Sequence, residues 1–97
     1  MKVDAIMIKE EDNVATALRD LSRDENAEVS MGDKFVRIHV QEPIAYGHKF
    51  AVRDIKRGEN IIKYGEVMGR ATGDILSGTH AHVHNIESHR GRGDLES

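Results

Sequence analysis

Apolar and polar positions alternate most clearly over residues 35–40. Val36, Ile38 and Val40 fall on one side, and Phe35, Arg37 and His39 on the other. That period of two is expected of a strand with one buried face. Val3 to Lys9 alternates only partly and carries β-branched residues on both faces, which reads as a short buried strand. Between these stretches, Glu10-Glu11-Asp12-Asn13 precedes Val14-Ala15-Thr16-Ala17-Leu18. Either Asp12 or Asn13 suits the cap of a first helical turn, and Val14, Ala17 and Leu18 share a face at helical spacing. A short helix ending near Asp20 is therefore expected, followed by a polar surface loop over Ser22 to Glu28.

Pro43 closes the alternating strand or marks an edge. Beyond it, Gly47, Gly58, Gly65, Gly69, Gly73 and Gly78 punctuate the short runs Phe50-Ala51-Val52, Asn60-Ile61-Ile62 and Val67-Met68. These runs are too brief for helices and predict strands with glycine at the corners. The fold class expected is mainly β, with one short N-terminal helix, over a single domain of residues 1–88. Residues 89–97, charged and glycine-containing, are expected to form a mobile tail. Asp54-Ile55 and Asp74-Ile75 each lead into a tight turn, Lys56-Arg57-Gly58-Glu59 and Leu76-Ser77-Gly78-Thr79, but the match is too short to define a repeat.

Composition narrows the chemistry. Ninety-seven residues make one small domain, and with four aromatic residues and no Trp its core must be aliphatic. A net charge of −3 with acidic and basic residues interleaved offers no stripe for phosphates, so nucleic acid is not an expected partner. No apolar run approaches the roughly 18–20 residues of a membrane span, and the N-terminus has no signal-like apolar region. A cytoplasmic protein without membrane contact is expected. Absence of cysteine excludes disulfides and thiolate chemistry, so any metal must be held by His, Asp, Glu or another chain.

Three of the six histidines alternate along His80-Ala81-His82-Val83-His84-Asn85. If the segment is extended, the three imidazoles share one side. Such a row suits a cation or proton transfer, and equally a solvated polar face. Gly47-His48-Lys49 places an acid or base beside a cation at an exposed corner, or is simply a polar turn. Lys63-Tyr64 offers a cation and a hydroxyl for an anionic substrate, or else a packed ring and a solvated ammonium. Arg53-Asp54 reads as a salt-bridged turn, and Arg70 suits a carboxylate partner.

The ordered series Gly47-His48-Lys49-Phe50-Ala51-Val52-Arg53-Asp54-Ile55, Gly58-Glu59, Ile62-Lys63-Tyr64-Gly65, Gly69-Arg70-Ala71-Thr72, Asp74-Ile75, Gly78 and His82-Val83-His84-Asn85 resembles the N-terminal SAF domain of the altronate and galactarate dehydratase family. The opening Asp12 to Asp20 resembles that family's start, and the likeness runs from about residue 4 to about residue 88. It implies a β-clip fold and a hydro-lyase that removes water from a sugar acid such as altronate or galactarate. It further implies a divalent ion, Fe2+ or Mn2+, held here or by a large chain. Sulfolactate sulfo-lyase, a relative of that family, has a separate small subunit of this type. The chain stops where a fused enzyme continues, so a small subunit working with a large dehydratase subunit is expected, inactive in isolation. A small subunit of the sulfolactate sulfo-lyase type, or a non-enzymatic ligand-binding module, is the alternative, and self-association of the chain stays open. On this likeness His48, His82 and His84 are the candidate catalytic residues, and His82 and His84 the candidate metal ligands. Lys49, Lys63, Tyr64 and Asn85 are the candidate substrate contacts, and His80 lies outside the motif.

Overall fold

The computed structural model describes residues 3–82 and 84–88; the expected tail and Val83 lie outside the described residues. Among the described residues there are nine short strands: β1 (Ala5–Met7), β2 (Val14–Ala17), β3 (Asn26–Met31), β4 (Lys34–His39), β5 (Lys49–Ala51), β6 (Asn60–Lys63), β7 (Glu66–Ala71), β8 (His80–Ala81) and β9 (Ile86–Ser88). They form a six-stranded sheet in the order β4-β3-β1-β2-β5-β8 and a three-stranded sheet in the order β6-β7-β9. Among the described residues, only β1 and β3 pair in parallel. No helix occurs among the described residues.

The expected helix over Val14–Asp20 is thus corrected to a strand, and the reason is two-sided burial. Strand β2 lies inside the large sheet, between β1 and β5. Val14 joins one apolar cluster with Ala51, Ile55, Ile61, Ala71, Ile75 and Ala81. Ala15 and Ala17 join the other, with Met7, Val29, Val40, Ile44 and Phe50. A strand buried on both faces shows a continuous apolar run rather than alternation, and such a run imitates a helical face. Asp12 and Asn13 cap no helix. The Asn13 side chain accepts from the Ile62 amide and donates to the Asn60 carbonyl, both at 2.8 Å, which stitches β6 to the large sheet. The expected loop at Ser22–Glu28 is shorter than expected, because β3 begins at Asn26 with Ala27 and Val29 buried.

Three corners of the fold follow one rule. In each, an Ala-x-x-Asp segment ends in an apolar residue that exchanges two backbone hydrogen bonds with the isoleucine of an Ile-x-x-Gly turn. Leu21 exchanges with Ile44, and Ile55 with Ile75, the latter belonging to both a segment and a turn. The aspartate of each segment accepts the amide just before the turn glycine: Asp20 from Tyr46, Asp54 from Ser77 and Asp74 from Arg57, at 2.8–2.9 Å. The alanine then meets the turn itself, since Ala17, Ala51 and Ala71 accept from Gly47, Gly78 and Gly58. Those glycines hold φ of 82°, 86° and 90°, a left-handed backbone that other residues rarely adopt. The corners launch β5, β6 and β8. What looked like two similar fragments is a structural repeat of three.

Candidate functional site

His48 follows the corner glycine Gly47 and is exposed, as its position beside a turn predicts. Its amide donates to the Ala45 carbonyl at 3.0 Å, and its carbonyl accepts from Ala17 at 2.9 Å, so the chain is clamped on both sides of the ring. His80 opens β8, paired with Phe50 of β5. The ring nitrogens His48 Nδ1 and His80 Nε2 lie 3.0 Å apart. One therefore donates while the other accepts, and the two rings hold opposite protonation at that contact.

The histidine row is extended only through Ala81. At His82 the chain bends and turns through residues 84–85 into β9, which corrects the expected extended segment. The rings nevertheless gather. His82 stacks on His48 at 5.7 Å between centroids and on His80 at 5.3 Å, with interplanar angles of 26° and 20°. His80 stacks on His48 at 5.0 Å, and His84 lies 5.4 Å from His80 at 37°. His80, outside the family motif, is the ring that touches all the others.

Asn85 holds this loop. Its Oδ1 accepts from the His82 amide and its Nδ2 donates to the His80 carbonyl, both at 2.9 Å, while its own amide donates to the His82 carbonyl. Its side chain is engaged in positioning histidines. Glu42, which sequence reasoning missed, accepts the His80 amide at 2.8 Å. Burial, followed by the charges of His48, His82 and His84, holds the His80 imidazole below its usual range, against the opposing pull of Glu42. No local signal ties Glu42 to a residue 38 positions away.

Lys49 and Lys63 form a second group. Lys49 pairs with Ala81 and Phe50 with His80, so alternation turns Lys49 to the face opposite His80. Burial lowers the Lys49 ammonium from its usual range, and the positive charge of Lys63 lowers it further. The Lys63 ammonium sits 4.9 Å from the centre of the Tyr64 ring, a cation–π contact at the β6–β7 turn. The structure thus gathers the seven candidates into two groups, histidines with Asn85 and lysines with Tyr64. Arg53 and Asp54 are not a salt-bridged turn: Arg53 donates to the carbonyls of Glu10 and Asp12, and Asp54 serves its corner. Arg70 pairs with Glu87 at 3.2 Å.

The imidazoles present stacked faces, and the His48–His80 contact already uses one nitrogen of each ring. Among the described residues, no group of three or more His, Cys, Asp or Glu is arranged to hold a metal ion. The donor set of the described residues does not fit a complete divalent-metal centre.

Comparison with known proteins gives this geometry its setting. Residues 3–89 match the altronate/galactarate dehydratase SAF domain. Altronate dehydratase of Escherichia coli is 47% identical over 77 residues, covering 79% of this chain and 15% of that protein. Altronate dehydratase of Bacillus subtilis is 42% identical over 83 residues, covering 86% of this chain and 16% of that protein. The (2R)-sulfolactate sulfo-lyase subunit alpha of Chromohalobacter salexigens is 40% identical over 58 residues, covering 60% of this chain and 62% of that subunit. The chain therefore spans about a sixth of the dehydratases' length. With the match running through every strand described above, the chain belongs to the altronate/galactarate dehydratase SAF domain family.

Proposed function

We propose that this chain is the small subunit of a sugar-acid hydro-lyase, completing the site of a large subunit that removes water from altronate, galactarate or a similar hydroxy acid. The observation that carries this reading is the stacked cluster of His48, His80, His82 and His84, assembled from two separate segments on a scaffold of the dehydratase family. Dehydration needs a base to take the proton from the carbon bearing the carboxylate, charge stabilisation for the enediolate, and an acid for the departing hydroxyl. Water leaves, and the enol tautomerises to a 2-keto-3-deoxy acid. His48, His82 and His84 are the candidate acid and base, with His80 and Asn85 as positioning residues. Lys49 and Lys63 supply positive charge for a substrate carboxylate, with Tyr64 beside them. Any divalent ion belongs with the large subunit, since the described residues offer no complete ligand set, and no step is routed through it.

Combining the chain with the region of an altronate dehydratase that follows its matched segment tests the reading. Complex formation and appearance of the 2-keto acid are expected, with neither part active alone. A mixture that behaves as the large part alone, with no complex, overturns it.

A second reading has its own support. A sulfo-lyase subunit matched over 62% of its length is itself a small chain. Sulfite release from sulfolactate, rather than a 2-keto acid from altronate, in a mixture with a sulfo-lyase large subunit would favour that substrate.

A further inference from the structure

Strand β4 forms one edge of the large sheet. Just past its end, the Val40 amide donates to the Glu25 carbonyl at 2.8 Å, on the β3 side. Backbone groups along an antiparallel pair turn inward and outward alternately. Val36 and Ile38 therefore bond β3, while Phe35, Arg37 and His39 aim their amides and carbonyls away from it. The His39 end is closed: Gly78 sits so near the His39 carbonyl that a Cβ there would collide with it, and Gln41 donates to the Gly78 carbonyl at 2.9 Å. Phe35 and Arg37 are left with outward backbone groups that no strand among the described residues pairs. Edge strands are commonly blunted by a proline, a bulge or a covering segment. Strand β4 has no proline and keeps its register with β3 over six pairs without a shift. On the face that Val36 and Ile38 share, a cavity of about 320 Å3 lies open among Met7, Met31, Val36, Ile38 and Val52.

We propose that a second copy of this chain pairs here, β4 against β4, antiparallel about a two-fold axis at Val36. An isologous pairing must set outward residues opposite outward residues, and the alternatives fail on named residues. Centring on Phe35 requires Asp33, which lies in the β3–β4 turn. Centring on Arg37 sets two guanidinium groups opposite each other and requires the closed carbonyl of His39. Centring on Val36 uses only what is free. Phe35 of each copy then exchanges both backbone bonds with Arg37 of the other, which lays a guanidinium beside a phenyl ring that is 44% exposed in the single chain. Lys34 falls opposite Ile38, so no like charges meet across the pair. The two Val36 side chains oppose each other on the axis, on the face that carries the cavity, and the apolar floors of the two copies become continuous. Neither the edge nor its register depends on the lyase reading.

The full chain has no cysteine, so a single introduced one reports the register. A non-hydrogen-bonded pair brings its Cα atoms to about 4.5 Å, within disulfide reach, whereas diagonal neighbours stand about 7–8 Å apart. Val36→Cys should therefore form a disulfide-linked dimer under mild oxidation at least about tenfold faster than Phe35→Cys. In the cysteine-free chain, sedimentation equilibrium up to about 1 mM should show a reversible dimer. Arg37→Pro deletes the outward amide, which an edge strand tolerates. It should weaken the dimer at least about tenfold relative to Arg37→Ala, which lacks the same side chain but keeps the amide. Unfolding curves verify that each variant folds. Equal cross-linking of the two cysteine variants, equal dimerisation of Arg37→Pro and Arg37→Ala, or a monomer throughout the concentration range overturns the proposal. Failure of the subunit mixture to dehydrate altronate leaves this result untouched, so the two readings fail separately.

Discussion

The backbones of Ile55 and Ile75 exchange two hydrogen bonds of 2.7 Å, each amide donating to the other's carbonyl. Around that bridge the two corners are reciprocal: Asp54 accepts the Ser77 amide of one turn, and Asp74 accepts the Arg57 amide of the other. Both isoleucines are buried in the second apolar cluster, which joins the two sheets. The exchange therefore fixes how the β6–β7 hairpin sits on the larger sheet.

Either Asp54→Ala or Asp74→Ala removes one charge-assisted bond at an exposed site and should destabilise by about 1 kcal/mol. Because both aspartates brace the same bridge, the double variant should lose more than the sum, by about 0.5 kcal/mol or more. Urea unfolding of the two singles and the double measures the coupling. Strict additivity would show that the corners act independently.

Much of this was legible in the residues, and the rest was hidden for physical reasons. The β4 strand announces itself because one face is buried and the other is wet, as Val36, Ile38 and Val40 against Phe35, Arg37 and His39 require. Strand β2 hides because both its faces are buried, and Val14-Ala15-Thr16-Ala17 then resembles a helix. The paired Asp-Ile fragments were visible, yet their reciprocity depends on contacts about twenty residues apart, which no local pattern encodes. The same limit concealed Glu42 and the central place of His80. His82 and Asn85 were recognisable as a motif, whereas the bend that Asn85 enforces was not.

That bend supplies the next prediction. Asn85 ties His82 and His80 through two side-chain hydrogen bonds of 2.9 Å. Asn85→Ala should destabilise the chain by about 1–2 kcal/mol and raise amide exchange at His82 selectively. Asn85→Asp keeps the acceptor for the His82 amide and loses the donor to His80, so it should recover part of the protection. Hydrogen exchange by NMR separates these outcomes. Uniform exchange across the loop in all three proteins would mean that Asn85 does not order it.

Acid should act on the fold through Asp12. This carboxylate is fully buried, and its oxygens accept the amides of Ile8 and Lys9 at 3.1 Å and of Gly65 at 2.7 Å. Burial would raise its pKa, but the amides of Gly65, Lys9, Ile8 and Tyr64 outweigh burial and hold it below the ordinary value of 3.8. A depressed carboxylate stabilises the fold at pH above its unfolded value, and that stability is lost as pH falls through the folded value. Wild-type stability should hold steady in Asp12's share down to about pH 4 and fall below it. Asp12→Asn replaces an acceptor oxygen by an amide facing a backbone donor, so it should destabilise by about 2–3 kcal/mol at neutral pH. The same variant should flatten the acid dependence below about pH 4. Because Gly65 sits in the turn beside Lys63 and Tyr64, the variant should also shift the Lys63 amide while leaving the His48–His80 contact in place. Urea unfolding across the acid range, with amide shifts read at Lys63 and His80, tests both halves. An acid slope unchanged from wild type would transfer the effect to other carboxylates.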